Sequence, residues 1–335
     1  MDLTTTYLGL TLRNPLVASA GPLSQSVDGV RALADGGVGA VVLFSLFEEQ
    51  LRRAVARDLD LIERHEYSFP EALDYFPDAP IEEKSLAHDY LRLVERASRA
   101  IDVPLIASLN GADLGGWTRF ARELQDAGAA ALELNIYFVP GDLRTRGSQV
   151  IERHTDIVAA VTDAVTIPVA VKMSPYFSSV GSVALRLVDA GADGLVLFNR
   201  FLQPDIDVET LEATTTWALS MPDEGRLPRT WIATLRHHTT ASLAGTTGVA
   251  DGSDVVKFLL AGADVVMSTS ALIRRGPAHA ATMLAELEDY LDRKGFTLDG
   301  MRGLLAVPPD TEGNAWQRTS YVAAMEKAKA TYGRL

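Results

Sequence analysis

The 335-residue sequence contains no cysteine. This absence excludes disulfides, thiolate metal sites, iron–sulfur clusters held by this chain, and a cysteine nucleophile or base. Basic residues are in the minority, 31 Lys and Arg against 44 Asp and Glu, which gives a formal net charge of −13. Because nucleic-acid binders and proteins on anionic membrane surfaces need clustered positive charge, we expect neither nucleic acid nor a membrane as a partner.

Long apolar runs and leader signals are also missing. No apolar run approaches the roughly 18–20 residues of a membrane span, and MDLTTTYLGL at the start has no basic region followed by an apolar one. We therefore expect a cytoplasmic protein. No HExxH motif or other spaced cluster of His and carboxylates occurs, so we expect no metal site.

What the sequence does contain is a repeated alternation of short apolar runs and amphipathic segments. Eight runs rich in Val, Ile, Leu and Ala indicate strands buried on both faces, at residues 15–20, 39–46, 104–109, 130–136, 168–173, 193–198, 242–248 and 264–269. Turns such as QDAGAAA and LLAGADV end the helices between them. This pattern predicts one α/β domain over residues 1–335, a (β/α)8 TIM barrel. A doubly wound open sheet is the alternative, but no GxGxxG follows the first strand.

Two segments exceed the ordinary loop length of about 2–6 residues. Residues 47–84 follow the second strand, and residues 199–228 follow the sixth. Both leave the C-terminal ends of strands, where barrels of this type build their active sites. We interpret them as lids or substrate walls, with a surface excursion or a subunit contact as the alternative.

A lysine within the fifth strand, Lys172 in VAVKM, is costly to bury unless an anion or an electron-rich group receives it. Three hypotheses follow. Lys172 could donate to the N1/O2 edge of a flavin, where negative charge develops on reduction. It could form a Schiff base, or it could pair with a buried carboxylate such as Glu133.

The last two strands favour a phosphate group. GTTG after the seventh strand and STS after the eighth present small residues, hydroxyls and backbone N–H groups. The loops after these two strands are the usual phosphate site of the barrel. Together with Lys172, they fit a phosphate-bearing cofactor that lies across the barrel mouth.

At this point the sequence resembles the class 1 dihydroorotate dehydrogenases, from Asn14 to about Gly295. The resemblance is carried by NPLVASAGP, ALELN, PVAVKMSPYF, AGTTGVADG and STSALIRRGP, in this order along the chain. ELNIY, LFNRF with QPDID, and the Trp231 segment are similar to a dihydroorotate dehydrogenase-like subgroup that lacks the usual Cys or Ser base. The resemblance implies FMN, hydride transfer from a bound dihydropyrimidine to the flavin, and a role in pyrimidine biosynthesis.

The resemblance also implies a set of site residues. Lys172, Asn135, Tyr137 and Asn199 are the implied catalytic residues, and Tyr137 is the nearest replacement for the family's base. The implied cofactor-binding residues are Ala18, Ser19, Ala20, Gly21, Ser45, Asn110, Asn135, Lys172, Asn199, Gly245, Thr246, Thr247, Gly248, Ser268, Thr269 and Ser270.

Departures from the family pattern concern the substrate more than the flavin. The family's base position is Phe138 here, and its flavin-contacting lysine at the end of the second strand is Phe44, with Ser45 beside it. The substrate-binding NxxGLPN stretch has no counterpart in residues 60–80, and Thr247 replaces a glycine. Asp142, Glu48, Glu49 and His65 are further candidates for a base. We therefore expect FMN binding to persist better than dihydroorotate oxidation.

Two other functions stay open beside an FMN-dependent oxidoreductase that acts on dihydroorotate or a related small reduced substrate. One is an aldolase or isomerase with Lys172 as its Schiff-base residue and a phosphorylated substrate. The other is a flavin-binding or interaction protein that has lost turnover. The resemblance makes a homodimer plausible. The electron acceptor is unknown: fumarate, NAD through a partner subunit, and a ferredoxin-like carrier all fit, and any iron–sulfur relay must lie on another chain.

Overall fold

The computed structural model describes residues 1–47, 86–111, 117–138, 141–201, 204–214, 218–311 and 313–333. Eight parallel strands close into a barrel with helices around it, which confirms the predicted (β/α)8 fold. Strand β4 pairs with both β3 and β6, so the sheet closes on itself. The barrel strands are β3 (Leu16–Ala18), β4 (Ala40–Val42), β6 (Leu105–Gly111), β7 (Ala131–Ile136), β8 (Val169–Lys172), β9 (Gly194–Leu197), β12 (Ser242–Gly245) and β13 (Val265–Ser268).

Shorter strands lie outside this order. β1 (Thr5–Tyr7) and β2 (Leu10–Leu12) form a hairpin, and β5 (Leu46–Phe47) pairs with the end of β6. The predicted insertion after the sixth strand contains a second hairpin, β10 (Asp205–Asp207) with β11 (Glu212–Thr214). Nearly all of the insertion predicted after the second strand lies outside the described residues.

Helices follow the strands around the barrel. They are α1 (Val27–Asp35), α2 (Leu86–Ser98), α3 (Trp117–Asp126), α4 (Gly147–Thr162), α5 (Val180–Asp189), α6 (Arg226–Leu235), α7 (Gly252–Ala261), α8 (Ser270–Arg275), α9 (His279–Lys294), α10 (Leu298–Met301) and α11 (Gly313–Tyr332). In the part of the chain that the structure describes, no helix is both long and apolar enough to cross a membrane.

The predicted small-residue turns end their helices as expected. Gly37, Gly128, Gly191 and Gly262 follow α1, α3, α5 and α7, and each has a φ between 100° and 114°. A side chain would be strained in this left-handed region, so glycine ends the helix there without that cost. Asp251 caps the start of α7 by accepting a hydrogen bond from the Asp254 N–H. The chain can then turn back into the next strand within a few residues.

The barrel interior is filled by alternate residues of its strands. Small and branched side chains point inward and pack against Tyr7, Leu8 and Leu12 of the first hairpin and its turn. The inward set on the barrel strands is Val17, Ala40, Val42, Ile106, Ala131, Ala170, Val196, Ala244, Val265 and Met267. Because side chains alternate along a strand, the residues two positions after Val17, Ile106, Ala131 and Ala170 face inward too, nearer the C-terminal mouth. These residues are Ser19, Ser108, Glu133 and Lys172, and together they form a buried polar layer.

The N-terminal end of the barrel has its own charged cluster. Arg236 bonds Asp264 at 2.8 Å, while Arg302 bonds Asp299 and the Thr5 hydroxyl, both at 2.7 Å. These residues line a cavity of about 440 Å³. Its two arginines are matched by two aspartates, so the cluster ties the C-terminal part of the chain to β1. It lies at the end of the barrel opposite the site predicted from the sequence.

His154 of α4 makes stability depend on pH. It is 3% exposed, its Nδ1 lies 2.7 Å from the Val150 carbonyl oxygen, and burial lowers its pKa from the usual 6.5. The unfolded chain therefore binds a proton there more readily than the folded chain, and stability falls as pH drops below about 6.5. We expect His154→Gln to be less stable than the wild type at pH 8, with the gap narrowing towards pH 5. Urea unfolding across this range tests it, and a constant gap would contradict it.

Candidate active site

Lys172 lies in the buried polar layer at the C-terminal end of the barrel. Its Nζ is 3.3 Å from Glu133 Oε1 on β7 and 3.3 Å from Ser19 Oγ after β3. The Lys172 side chain is 9% exposed and that of Glu133 is 1% exposed. The pairing with Glu133 considered from the sequence is therefore present. An ammonium group has three donors, so one proton of Lys172 is available to a further acceptor.

A pair of amides lies beside this lysine. Asn199 Nδ2 donates to Asn135 Oδ1 at 2.8 Å, which joins the ends of β7 and β9. Asn135 is level with Lys172 on β8 and with Asn110 on β6. Three of the predicted polar residues thus lie side by side on adjacent strands. Among the described residues, the Asn135 amide nitrogen and the Asn199 amide oxygen make no further hydrogen bond.

The end of the second barrel strand shows which of two neighbouring residues reaches the interior. The Phe44 ring packs edge-on against Tyr90 of α2, with ring centroids 5.0 Å apart. The Ser45 hydroxyl instead lies 2.8 Å from the hydroxyl of Ser108, a residue with inward alternation on β6. The chain after this strand therefore turns Ser45 towards the polar layer and Phe44 towards the surrounding helices.

Tyr90 holds this part of the barrel together. Its hydroxyl lies 2.9 Å from the Phe44 carbonyl oxygen and 3.1 Å from that of Ser108, and it also accepts the Ser108 N–H. Burial raises its pKa well above the ordinary value, so it stays neutral. Its position fixes the backbone at Phe44, just before Ser45, and at Ser108, the partner of Ser45.

The loops after β12 and β13 present backbone donors. Within the described residues, the N–H groups of Thr247, Thr269 and Ser270 donate no hydrogen bond. The Thr269 hydroxyl donates to the Ser19 carbonyl oxygen at 2.7 Å, and the Thr247 hydroxyl donates to that of Phe198 at 3.1 Å. These bonds tie the two loops to the ends of β3 and β9. The structure thus brings predicted residues from both ends of the chain together.

Ser220 is a member of the site that the sequence analysis missed. Its hydroxyl accepts the Gly248 N–H at 3.3 Å and lies 2.9 Å from the Ser270 hydroxyl, which also accepts the Ser220 N–H. Ser220 is 7% exposed. It therefore links the loop after β12 to the start of α8. A sequence signal exists in ALSMPDEG, where a small residue precedes a proline and the next helix, but residues 199–228 were assigned only as a long insertion.

Ser220 belongs to residues 218–225, which we call the strap. Two arginines outside the strap hold this segment in place. Arg274 of α8 donates to the carbonyl oxygens of Ser220 at 2.9 Å and Leu219 at 3.0 Å. Arg200, just after β9, donates to the Ala218 carbonyl oxygen and bonds Glu224. A side chain at Gly248 would collide with strap backbone atoms at Gly225 and Met221. The strap therefore packs directly on the loop after β12.

At the position of the family's base, the structure shows Phe138 with the Arg153 guanidinium 4.3 Å above its ring. This cation–π contact covers the ring and supplies no proton acceptor. Tyr137 is half-buried, and its ring is stacked on Phe201 at 4.4 Å. Asp142 instead caps its own turn by accepting the Arg144 N–H at 2.9 Å. Glu48, Glu49 and His65 lie outside the described residues.

Two predicted residues face away from the barrel interior. The Ser268 hydroxyl donates to the Val249 carbonyl oxygen, and Gly245 leaves the space that the Phe258 ring of α7 occupies. Their side-chain positions serve packing. Ala18, Ala20 and Gly21 line the end of β3, and Gly21 approaches the Thr269 side chain too closely for a Cβ. Thr246 is buried and bonds β9 through its N–H.

Thr247 has an unusual backbone conformation. Its φ is +75°, which costs a β-branched residue on the order of 1–2 kcal/mol. We expect Thr247→Gly to be about 1 kcal/mol more stable than Thr247→Ala, because both lose the bond to Phe198 and only glycine removes the strain. At Thr246, where φ is not positive, the usual order with alanine more stable should hold. Urea unfolding of the four variants measures this, and the same order at both positions would contradict it.

Known proteins of similar sequence identify the family. The sequence profile described as dihydroorotate dehydrogenase matches residues 82–291. The chain belongs to the dihydroorotate dehydrogenase family. Two proteins named dihydroorotate dehydrogenase B (NAD(+)), catalytic subunit, are similar along nearly their whole length. The one from Methanocella arvoryzae is 28% identical over 91% of this chain and 98% of its own. That from Thermoplasma acidophilum is 26% identical over 88% and 95%.

Family membership fixes the reaction class. The protein is an oxidoreductase that acts on CH–CH bonds. The polar layer fits this class, because Lys172, Asn135 and Asn199 can donate to an acceptor at the mouth. Among the described residues, no three His, Asp or Glu side chains come together as metal ligands.

Proposed function

We propose that the protein is an FMN-dependent oxidoreductase that takes a hydride from a small reduced substrate, either dihydroorotate or a related compound. The observation that carries the proposal is a continuous run of donor groups around the mouth. Lys172 and the amide pair supply side-chain donors on β7 to β9. The loops after β12 and β13, the next two strands around the barrel, supply backbone N–H groups.

The residues present fit FMN at both of its ends. An isoalloxazine ring gains negative charge along its N1/O2 edge on reduction, and the ammonium of Lys172 suits that charge. A phosphate needs several N–H and hydroxyl donors, which Thr247, Thr269 and Ser270 offer together. The close approach of Gly21 to Thr269 leaves backbone, and not side chains, beside the cofactor. The same set of donors has no evident use in a site without an anion.

The cofactor would supply the hydride acceptor, N5 of the oxidised flavin. Lys172 would stabilise charge at the ring edge, and Glu133 would hold the lysine in position. Asn135 and Asn199 would orient the reacting carbon by hydrogen bonds from neighbouring strands. Ser220 would close the phosphate end by keeping the loops after β12 and β13 together. Lys172 as a Schiff-base residue fits less well, because that role needs an uncharged amine and Glu133 suits an ammonium.

Oxidation of the substrate releases a proton as well as the hydride, and Phe138 at the family's base position cannot accept it. Tyr137 lies one residue earlier and two residues beyond Asn135, so we propose it for this role. The relatives' names favour NAD as the final electron acceptor, reached through a partner subunit. Because this chain has no cysteine, iron–sulfur groups on that route would belong to the partner. A homodimer and a cytoplasmic location remain part of the proposal.

The decisive test is an absorbance spectrum of the purified protein, followed by anaerobic addition of dihydroorotate. We expect flavin bands, released by acid and identified as FMN. Bleaching by dihydroorotate would show that another residue replaces the lost base, and unchanged bands would direct the search to a related substrate. A colourless protein that takes up no added FMN would overturn the proposal. Borohydride trapping of a lysine adduct would then support the Schiff-base alternative.

A further inference from the structure

Three aromatic rings from three successive strand ends meet at the barrel mouth. Tyr137 follows β7, Tyr176 follows β8 and Phe201 follows β9. Phe201 is at the centre, stacked on Tyr137 at 4.4 Å with a 23° angle and edge-on to Tyr176 at 5.4 Å. We call this group the aromatic wall. It joins three loops through ring contacts.

The aromatic wall lies next to the amide pair in a regular way. Tyr137 is two residues beyond Asn135, and Phe201 is two residues beyond Asn199. The ends of β7 and β9 are therefore joined twice, by the hydrogen bond between the two amides and, two residues further along each chain segment, by the stacked rings. Tyr176 is 61% exposed, and Tyr137 and Phe201 are half-buried. A molecule that bonds the amide pair would meet these rings on its way in.

From this arrangement we infer that the substrate carries a planar aromatic group with apolar faces and one amide-like group. This inference rests on the proposed function and specifies its substrate class. The amide-like group bonds the Asn135 amide nitrogen and the Asn199 amide oxygen, one as donor and the other as acceptor. The planar part lies against the aromatic wall, where ring contacts stabilise it.

A polar pyrimidine fits this surface poorly. Its ring carries several carbonyl and N–H groups, and each one that is buried without a partner weakens binding. Lys172 and Asn110 lie level with Asn135, and beyond the amide pair the described rings of Tyr137, Tyr176 and Phe201 offer apolar faces. Arg153 is engaged above Phe138 at 4.3 Å. The aromatic wall therefore favours a ligand with apolar ring faces over a pyrimidine whose polar groups need hydrogen-bond partners.

Calorimetric titration of the FMN-loaded protein with three probes tests the inference. Cinnamamide is planar, conjugated and carries one primary amide. Its counterpart 3-cyclohexylpropanamide keeps the amide but is neither planar nor aromatic, and orotate is planar but polar. We expect cinnamamide to bind at least about tenfold more tightly than either of the others. A shift of the flavin absorbance bands on cinnamamide binding gives a second, independent readout.

Variants of the wall assign the effect to its rings. Phe201→Leu keeps an apolar side chain but removes the ring, so cinnamamide affinity should fall about fivefold to tenfold while 3-cyclohexylpropanamide affinity stays the same. Tyr176→Ala should weaken cinnamamide less, by about threefold. Tyr321→Ala is the matched control, because Tyr321 on α11 is 62% exposed, as Tyr176 is 61% exposed. It should change nothing.

The outcomes separate this inference from the proposed function. A flavin-containing protein that binds orotate more tightly than cinnamamide would overturn the inference and leave the flavin proposal intact. The same holds if Phe201→Leu affects both amides equally. A protein without flavin would defeat the proposed function, and the titrations on that protein would still report whether the wall binds the planar amide.

Discussion

Lys172→Met should lower stability by about 3–5 kcal/mol, because Glu133 would be left as a charge without its counter-ion. It should also abolish the proposed binding of FMN. Glu133 is 1% exposed, and within the described structure its Oε2 already lacks a hydrogen-bond partner. In the part of the chain that the structure describes, Lys172, at 3.3 Å, is the only cation that forms an ion pair with Glu133. Urea unfolding measures the loss of stability, and the flavin content after dialysis measures cofactor retention.

The double variant Lys172→Met with Glu133→Gln separates the two effects. Removing both charges abolishes the cost of an unpaired carboxylate, so stability should return to within about 1–2 kcal/mol of the wild type. Flavin binding should stay weak, because the donor to the ring edge is still missing. If the double variant retained flavin as the wild type does, Lys172 would be only the counter-ion of Glu133.

Ser220→Asp should weaken FMN binding by about a hundredfold or more. It would place a carboxylate between Gly248 and Ser270, where the phosphate is proposed to bind. Two like charges about 4 Å apart near a protein surface repel by roughly 4 kcal/mol. Ser220→Ala, which removes only the bridging hydroxyl, should weaken FMN about tenfold. Fluorescence titration of the flavin-free proteins measures both constants.

Riboflavin is the control ligand for this prediction, because it lacks the phosphate. Its affinity should be unchanged by Ser220→Ala, and Ser220→Asp should bind it more tightly than FMN. Ser98→Asp, at the end of α2 on the opposite face of the barrel, should bind FMN as the wild type does. Equal losses for FMN and riboflavin would instead mean that the strap supports the site only structurally.

The fold was predictable because its signals repeat. Each helix that ends at Gly37, Gly128, Gly191 or Gly262 is followed by an apolar run, and eight such runs leave few arrangements other than a barrel. Lys172 stood out for a related reason, since a charge in a buried strand is rare. Its partner Glu133 was also accessible from the sequence, because both residues occupy polar positions on adjacent strands.

Other parts of the site depended on local backbone geometry. Phe44 and Ser45 are neighbours, and only the structure shows that Ser45 meets Ser108 while Phe44 packs on Tyr90. Ser220 lies 28 residues from Gly248 in a segment without periodicity, so no pattern connected the two. The contact between Tyr137 and Phe201 likewise joins two loops whose conformations no spacing rule determines.

The strap also has a consequence for the order in which the molecule is assembled. It is held by Arg200 and Glu224 on one side and by Arg274 on the other, through side chains and not through a backbone ladder. During synthesis the phosphate end cannot be completed until Arg274 has emerged, although most of the barrel strands exist by then. If FMN binds as proposed, its capture should therefore fall late in folding, and a nascent or truncated chain should stay flavin-free until the last βα unit has closed.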